Sequence, residues 1–188
     1  MPNGEKILFE GKTFEILNKN YRHGSRNFSV EIARRSPGVR LLILKNSRML
    51  LIKEYRYELN DYDYRLPGGK VFDSLKEYNE KMRNTSSILH YATEAAKKEC
   101  LEETGLIVKN IKYIITSNAG LTVRWDLFYF VVDDFEQNKT GQALGENEEI
   151  YLEWKTFDKV KEMCLNNKIK EYRSVGVILS YLLKNNLI

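Results

Sequence analysis

The sequence predicts an α/β layered domain. Two observations point there. Short apolar segments of strand length fill the first third and return after Leu106, and between and behind them the apolar period changes to that of helices. A third observation sets the scale: 188 residues without an internal repeat, linker or low-complexity segment suit one domain, with room for a small appendage.

The elements follow in order. "KILFEGKTFEIL" places a turn at Gly11-Lys12 between two short apolar runs and reads as a hairpin. "NFSVEIARR" alternates Phe28, Val30 and Ile32 against polar neighbours. "GVRLLILKNSRMLLIKEYRY" is two apolar runs around Lys45-Asn46-Ser47-Arg48, a hairpin of buried strands. Pro67-Gly68-Gly69 then breaks the pattern with a turn. From Ser74, "SLKEYNEKM" reads as a short helix, "RNTSS" offers N-caps, and "ILHYATEAAKKECLEET" reads as a longer helix closed by Gly105. Strands resume at "LIVKNIKYIITSN" and "VRWDLFYFVVDD". "FEQNKTGQALGENEE" is a long polar loop, "IYLEWKTF" a last strand, and "DKVKEMCLNN" and "YRSVGVILSYLLKNN" closing helices.

Composition excludes several classes. Thirty basic and 26 acidic residues give a net charge of +4 with no basic cluster longer than a pair, so nucleic-acid binding is not expected. Two cysteines, Cys100 and Cys164, imply no disulfide framework and fit a reduced, cytoplasmic setting. No signal-peptide apolar region and no membrane-length apolar run is found. Two histidines, His23 and His90, leave little room for a zinc site.

The stretch that carries chemistry is "AAKKECLEETGL". On a helix, Glu99 shares a face with Glu102 and Glu103, and like charges at that spacing repel. The helix stops at Gly105, so the three carboxylates also crowd the negative end of its dipole. A cation is called for. Either Lys97 and Lys98 neutralise a solvated face, or a metal ion binds. Oxygen donors suit magnesium or manganese, and magnesium keeps waters and binds phosphate oxygens, which points to a phosphate-containing substrate.

Here the chain resembles a family. "KECLEETGL" is similar to the end of the Nudix box, with Lys98 where the family has arginine, and "RLPGGKV" resembles the glycine turn that opens the box. The strand pair before it is similar to that of Nudix enzymes that split ADP-ribose and related nucleoside diphosphate sugars. The spacing departs from the family. Gly69 lies twenty-nine residues before Lys98 instead of fourteen, and His90 stands where a glutamate is usual. The resemblance implies an α/β/α sandwich with a mixed sheet, preceded by N-terminal antiparallel strands. On that reading residues 1–36 form a dimerisation arm and 37–188 the Nudix domain, with a helical insertion near 74–87.

The resemblance also implies roles. Glu99, Glu102, Glu103 and the carbonyl of Gly69 would be metal ligands, for magnesium or manganese. Glu102 is also counted among the catalytic carboxylates. The general base would come from "GENEE", with Glu146 favoured over Glu148 and Glu149 the third choice. Arg56 and Arg35 would bind substrate, and Tyr21 and Phe28 would stack on a base, reaching a neighbour's site in a homodimer. Trp125 and His90 read most simply as a strand core residue and a helix-face residue. The insertion, through Leu75, Tyr78 and Met82, is expected to cover the rim of the substrate cleft. Lys98 is expected to be braced by Glu94, or by Glu77 or Glu80. Three functions are weighed: a hydrolase of nucleoside diphosphate sugars, a pyrophosphohydrolase of dinucleoside polyphosphates or capped RNA, and a non-catalytic ADP-ribose sensor. Sensors usually lose these carboxylates, which argues against the third.

Overall fold

A computed structural model describes residues 5–84, 87–146 and 148–188. Among the described residues, ten strands and four helices appear in chain order: β1 (Glu5–Glu10), β2 (Phe14–His23), β3 (Arg26–Arg35), β4 (Gly38–Lys45), β5 (Arg48–Arg56), β6 (Asp61–Arg65), α1 (Leu75–Asn84), α2 (Ile88–Thr104), β7 (Leu106–Ser117), β8 (Val123–Arg124), β9 (Leu127–Gln137), β10 (Ile150–Thr156), α3 (Phe157–Leu165) and α4 (Tyr172–Lys184).

The strands form two sheets. The N-terminal sheet runs β1-β2-β3-β8, and the central sheet runs β10-β5-β4-β9-β7 with β6 paired to β5. The central sheet is mixed, because β4 and β9 run parallel while the pairs β4-β5, β5-β10 and β7-β9 are antiparallel. Its hairpin β4-β5 turns on Asn46 and Ser47, both at positive φ (50 and 56), the backbone that a two-residue hairpin turn demands.

Strand alternation builds two cores on the two faces of this sheet. Val39, Leu41, Ile43 and Leu50 pack with Ala92, Ala96 and Cys100 of α2. Leu42, Met49 and Leu51 pack with Val160 and Met163 of α3 and Ile178 and Leu182 of α4. The result is an α/β/α sandwich. Each fully buried aliphatic side chain contributes roughly 1.5–3 kcal/mol. The small residues Ala92, Ala96 and Cys100 recur four apart and let α2 lie close to the strands.

Two features differ from the sequence expectation. Strand β6 was not foreseen, since five residues rich in tyrosine precede the glycine turn without a clear apolar alternation. The segment expected as one strand at "VRWDLFYFVVDD" splits, and β8 leaves to join the N-terminal sheet beside Ala33 and Arg34. The expected cap stretch falls partly on Thr85 and Ser86, outside the described residues; the N-cap of α2 is Ser87.

The segment expected as an insertion forms α1, and α1 lies against the N-terminal sheet. Arg34 of β3 donates to Asn79 at 3.0 Å and stacks near the Tyr78 ring. Leu75 is buried, and Asn79, Met82 and Arg83 line a groove shared with Glu5, Ile7 and Leu17. None of the described residues of α1 lines the cleft below, so the expected rim position is corrected. The reason is the ionic cluster under it: Arg34 also binds the fully buried Glu15, and that pair holds α1 down.

Candidate active site

A cleft of about 590 Å³ opens where the Gly68-Gly69 turn meets the C-terminal half of α2. Its lining brings together Glu99, Glu102 and Glu103 of α2, Gly68 and Gly69, Arg35, Arg40, Arg56 and Arg65 from β3 to β6, and Glu148 from the loop after β9.

The buried stripe of α2 explains part of this. Ala92, Ala96 and Cys100 continue into Glu103, which is 9% exposed, so a carboxylate occupies what would otherwise be a core position. Its Oε2 accepts the N–H of Gly68 at 2.6 Å. Gly68 has φ +137, and a Cβ there would overlap the Val39 carbonyl, so the turn requires glycine. At Gly69 the Glu99 carboxylate occupies the space a Cβ would need. The Gly69 carbonyl already accepts the Val39 N–H at 2.9 Å, with its second lone pair left to offer.

The helix end is capped by the downstream loop. Gly105 takes the left-handed C-cap conformation, φ 66. Ala143 N–H donates to the Glu102 carbonyl at 2.8 Å, Gln142 Nε2 to the Glu103 carbonyl at 2.6 Å, and Asn138 N–H to the Gly105 carbonyl at 2.8 Å. Orphan carbonyls of the last turn thus dock the loop that carries Glu148.

The charges are crowded. Burial, then the Glu102 carboxylate, pushes Glu99 up to about 7, with Glu148 adding and Lys98 and Arg40 opposing. Burial pushes Glu103 up to about 8; Glu99 adds to this, while the Gly68 N–H and Arg40 oppose it. Arg40 is 5% exposed and donates through Nη1 to the carbonyls of Val39 (2.8 Å) and Gly68 (2.9 Å). Burial, with Arg65 nearby, brings its guanidinium down to about 10, still a cation at neutral pH.

The other expected residues fall as follows. Arg56 lines the cleft, bound to Glu54 at 3.0 Å and to Glu58; Arg65 holds the other oxygen of Glu54 at 2.6 Å. Arg35 lines the cleft between the rings of Trp125 (4.4 Å) and Phe14 (5.0 Å), and Arg173 covers Trp125 at 4.3 Å. Tyr21 and Phe28 stack on each other at 5.5 Å on the β2-β3 hairpin and do not line this cleft within one chain. Glu148 lines the cleft and accepts the Gly145 N–H at 2.9 Å. Glu146 is not in the lining, and Glu149 is held by Tyr62 and by Tyr151 at 2.9 Å. Lys98 pairs with Glu102 at 3.7 Å, while Glu94 pairs with Lys97 at 2.8 Å, so the expected brace from Glu94 is corrected. Glu77, one of the two alternative braces, accepts the Asp73 N–H at 3.3 Å instead. Sequence reasoning passed over Arg40, Arg65 and Gln142. A lone arginine inside "GVRLLILK" was the available signal for the first.

The donor set fits a hard divalent ion: carboxylate and carbonyl oxygens, with no sulfur or imidazole among the residues drawn to the site. Among the described residues, no three or more acidic, histidine or cysteine side chains stand close enough together, as placed here, to hold a metal ion. Glu102 leans to Lys98 and Glu103 to Gly68. An open set of this kind suits an ion that keeps several waters and shares its remaining positions with phosphate.

A family model described as NUDIX domain matches residues 34–174. The chain belongs to the Nudix family. It is a Nudix hydrolase, and the matched span includes α2 and the glycine turn. The fold agrees. A crystal structure described as that of an ADP compounds hydrolase is similar over 99% of this chain and 98% of its own, with a TM-score of 0.70 and 14% identity. No curated protein sequence matches the chain significantly. No helix among the described residues is long and apolar enough to cross a membrane.

Proposed function

We propose that this Nudix hydrolase cleaves the diphosphate of ADP-ribose or a related nucleoside diphosphate sugar, releasing a nucleoside monophosphate and a sugar phosphate. The single observation that carries the reading is one cleft in which three α2 carboxylates share the lining with four arginines. Carboxylates alone would repel a diphosphate, and arginines alone would bind without activating water. Similarity to a structure described as an ADP compounds hydrolase supports the choice of substrate class.

Glu99, Glu102, Glu103 and the Gly69 carbonyl would hold magnesium or manganese. Metal held there would offset phosphate charge and lower the pKa of the attacking water. The chain's own groups do the rest. Arg56 and Arg65 present planar forks to phosphate oxygens or ribose hydroxyls, and their joint hold on Glu54 fixes their direction. Arg35, between two aromatic rings, supplies a further cation on the β3 side. Glu148 takes the proton from water as it attacks phosphorus, and the bridging P–O bond breaks.

The N-terminal sheet would pair across a two-fold axis. Tyr21 and Phe28 are exposed on one face of it and Phe9 and Phe14 on the other, and a second copy covering the first face would bring Tyr21 and Phe28 to a neighbour's cleft. Sedimentation at working concentrations tests the homodimer, and a monomer would remove it. A cytoplasmic setting accords with two buried free cysteines. For the activity, purified protein is incubated with magnesium and a panel of ADP-ribose, sugar nucleotides, dinucleoside polyphosphates and capped RNA, and products are identified by mass. Cleavage confined to the last two classes would overturn the proposed substrate. Binding of ADP-ribose without cleavage would favour the sensor.

A further inference from the structure

The usual box arginine is absent here. Lys98 in its place is largely exposed and touches Glu102 at 3.7 Å. His90, eight residues earlier on the same helix, stands roughly 12 Å away along the axis at 1.5 Å per residue. An imidazole there supplies no carboxylate to pair with Lys98. Yet the glycine turn must be held against α2, since Gly68 and Gly69 both contact its glutamates.

Arg40 fills this gap from the other side. It sits on β4 among Val39, Leu41 and Leu42, all fully buried, where an arginine is out of place unless its geometry is used. Nη1 holds the Gly68 carbonyl at 2.9 Å, and Gly68 in turn donates its N–H to Glu103 at 2.6 Å. The side chain lines the cleft, and its Nε is buried without a partner. Arg40, Gly68 and Glu103 form a chain in series, anchored in the central sheet.

We infer that Arg40 is a positioning residue that clamps the Gly68-Gly69 turn onto α2 and thereby sets the geometry of the cation site, the task that the box arginine leaves undone in this chain. The inference rests on the proposed cation role of Glu99 and Glu103. The sign of one measurement separates positioning from charge. A nearby cation repels a metal ion, so if Arg40 were only a charge, its removal would tighten magnesium binding. If it positions the site, its removal weakens binding.

The test is the magnesium dependence of the melting temperature for wild type, Arg40→Met and Arg40→Lys, with steady-state kinetics on the nucleotide that wild type cleaves. Arg40→Met should need on the order of tenfold or more magnesium for half of its stabilisation, the range seen when groups supporting metal ligands are removed. Its kcat should fall by a similar factor while KM changes little. Arg40→Lys keeps the charge but loses the rigid fork and should lie between the two. An unchanged or lower magnesium midpoint in either variant overturns the inference, whatever the loss of intrinsic stability. If Arg40→Met does not melt cooperatively, Arg40→Lys alone decides it by the same criterion. A wild type that does not respond to magnesium overturns the cation site itself, and the inference with it.

Discussion

The Glu103 carboxylate accepts the backbone N–H of Gly68 at 2.6 Å, across 35 residues of sequence. This one bond joins the acidic end of α2 to the glycine turn, although α1 lies between them in the chain. It also explains why a carboxylate is kept on the buried stripe of α2: the stripe ends at the site.

Glu103→Gln should fold, because the amide oxygen can still accept from Gly68 and glutamine has similar helix propensity. Losing an anionic oxygen should lower turnover by roughly a hundredfold or more, beyond the tenfold to hundredfold cost of removing a supporting group. Kinetics in saturating magnesium, paired with circular dichroism, check both halves. Wild-type turnover in this variant would remove Glu103 from the cation site.

The metal-free protein should lose stability as pH rises from about 5 to about 8. Glu99 and Glu103 are pushed up, chiefly by burial, to about 7 and about 8 from an ordinary 4.5. The folded protein therefore keeps protons that the unfolded chain has released. Their contribution is fully present below 4.5 and is lost as pH passes through the folded values. Magnesium replaces those protons, so its stabilising effect should grow across the same window. Calorimetry in chelator and in magnesium at stepped pH reads this directly, and Glu103→Gln should flatten the slope.

The two glycines of the turn should separate by phenotype. Gly68→Ala meets backbone, the Val39 carbonyl, at φ +137, and should cost about 1–3 kcal/mol of stability. Gly69→Ala meets the Glu99 carboxylate, the end of a flexible side chain that can swing away. It should melt closer to wild type and still lose most activity, because Glu99 has moved. Equal melting temperatures with equal activity loss would contradict the distinction.

How much of this was legible in the sequence follows physical lines. Glu99, Glu102, Glu103 and the Gly-Gly turn were readable because helical spacing and a turn signal are local. The hairpin β4-β5 was readable for the same reason. Arg40 was not, since a strand arginine looks alike whether it points to solvent or to a buried carbonyl. The placement of α1 was missed because its apolar stripe of Leu75, Tyr78 and Met82 says only that a surface is covered. The partner was chosen by the Arg34–Glu15 pair on other strands, which no local pattern reveals.

That pair makes a prediction of its own. Glu15 is fully buried, and both Nε and Nη2 of Arg34 bind it. Arg34→Met leaves the carboxylate uncompensated and should cost about 3–5 kcal/mol. Replacing residues 75–83 with a Gly-Ser linker should likewise lower the melting temperature while leaving the ranking of substrates unchanged. A changed ranking at unchanged stability would return α1 to the cleft rim.

The loop carboxylates supply the last test. Glu148 lines the cleft and lies close enough to Glu99 to raise its pKa, and the loop that carries it is docked on α2 by Gln142 and Ala143. Glu149 is bound by Tyr62 and Tyr151, which pull its carboxyl below the ordinary value and make it a weaker base. Glu146 stands outside the lining. A base must reach the attacking water, so the proposed base is Glu148, which lines the cleft, where sequence alone favours Glu146. Glu148→Gln should lower kcat by roughly 10²–10⁴-fold, the usual contribution of a general base, with KM little changed. Glu146→Gln and Glu149→Gln should stay within about threefold of wild type, below the range for a base. In Glu148→Gln the acid limb of the pH–rate profile, which a general base produces when it is protonated, should also disappear. A normal profile there, with the loss found in Glu146→Gln instead, would mean that the loop rearranges when substrate enters and that the cleft seen here is its open form.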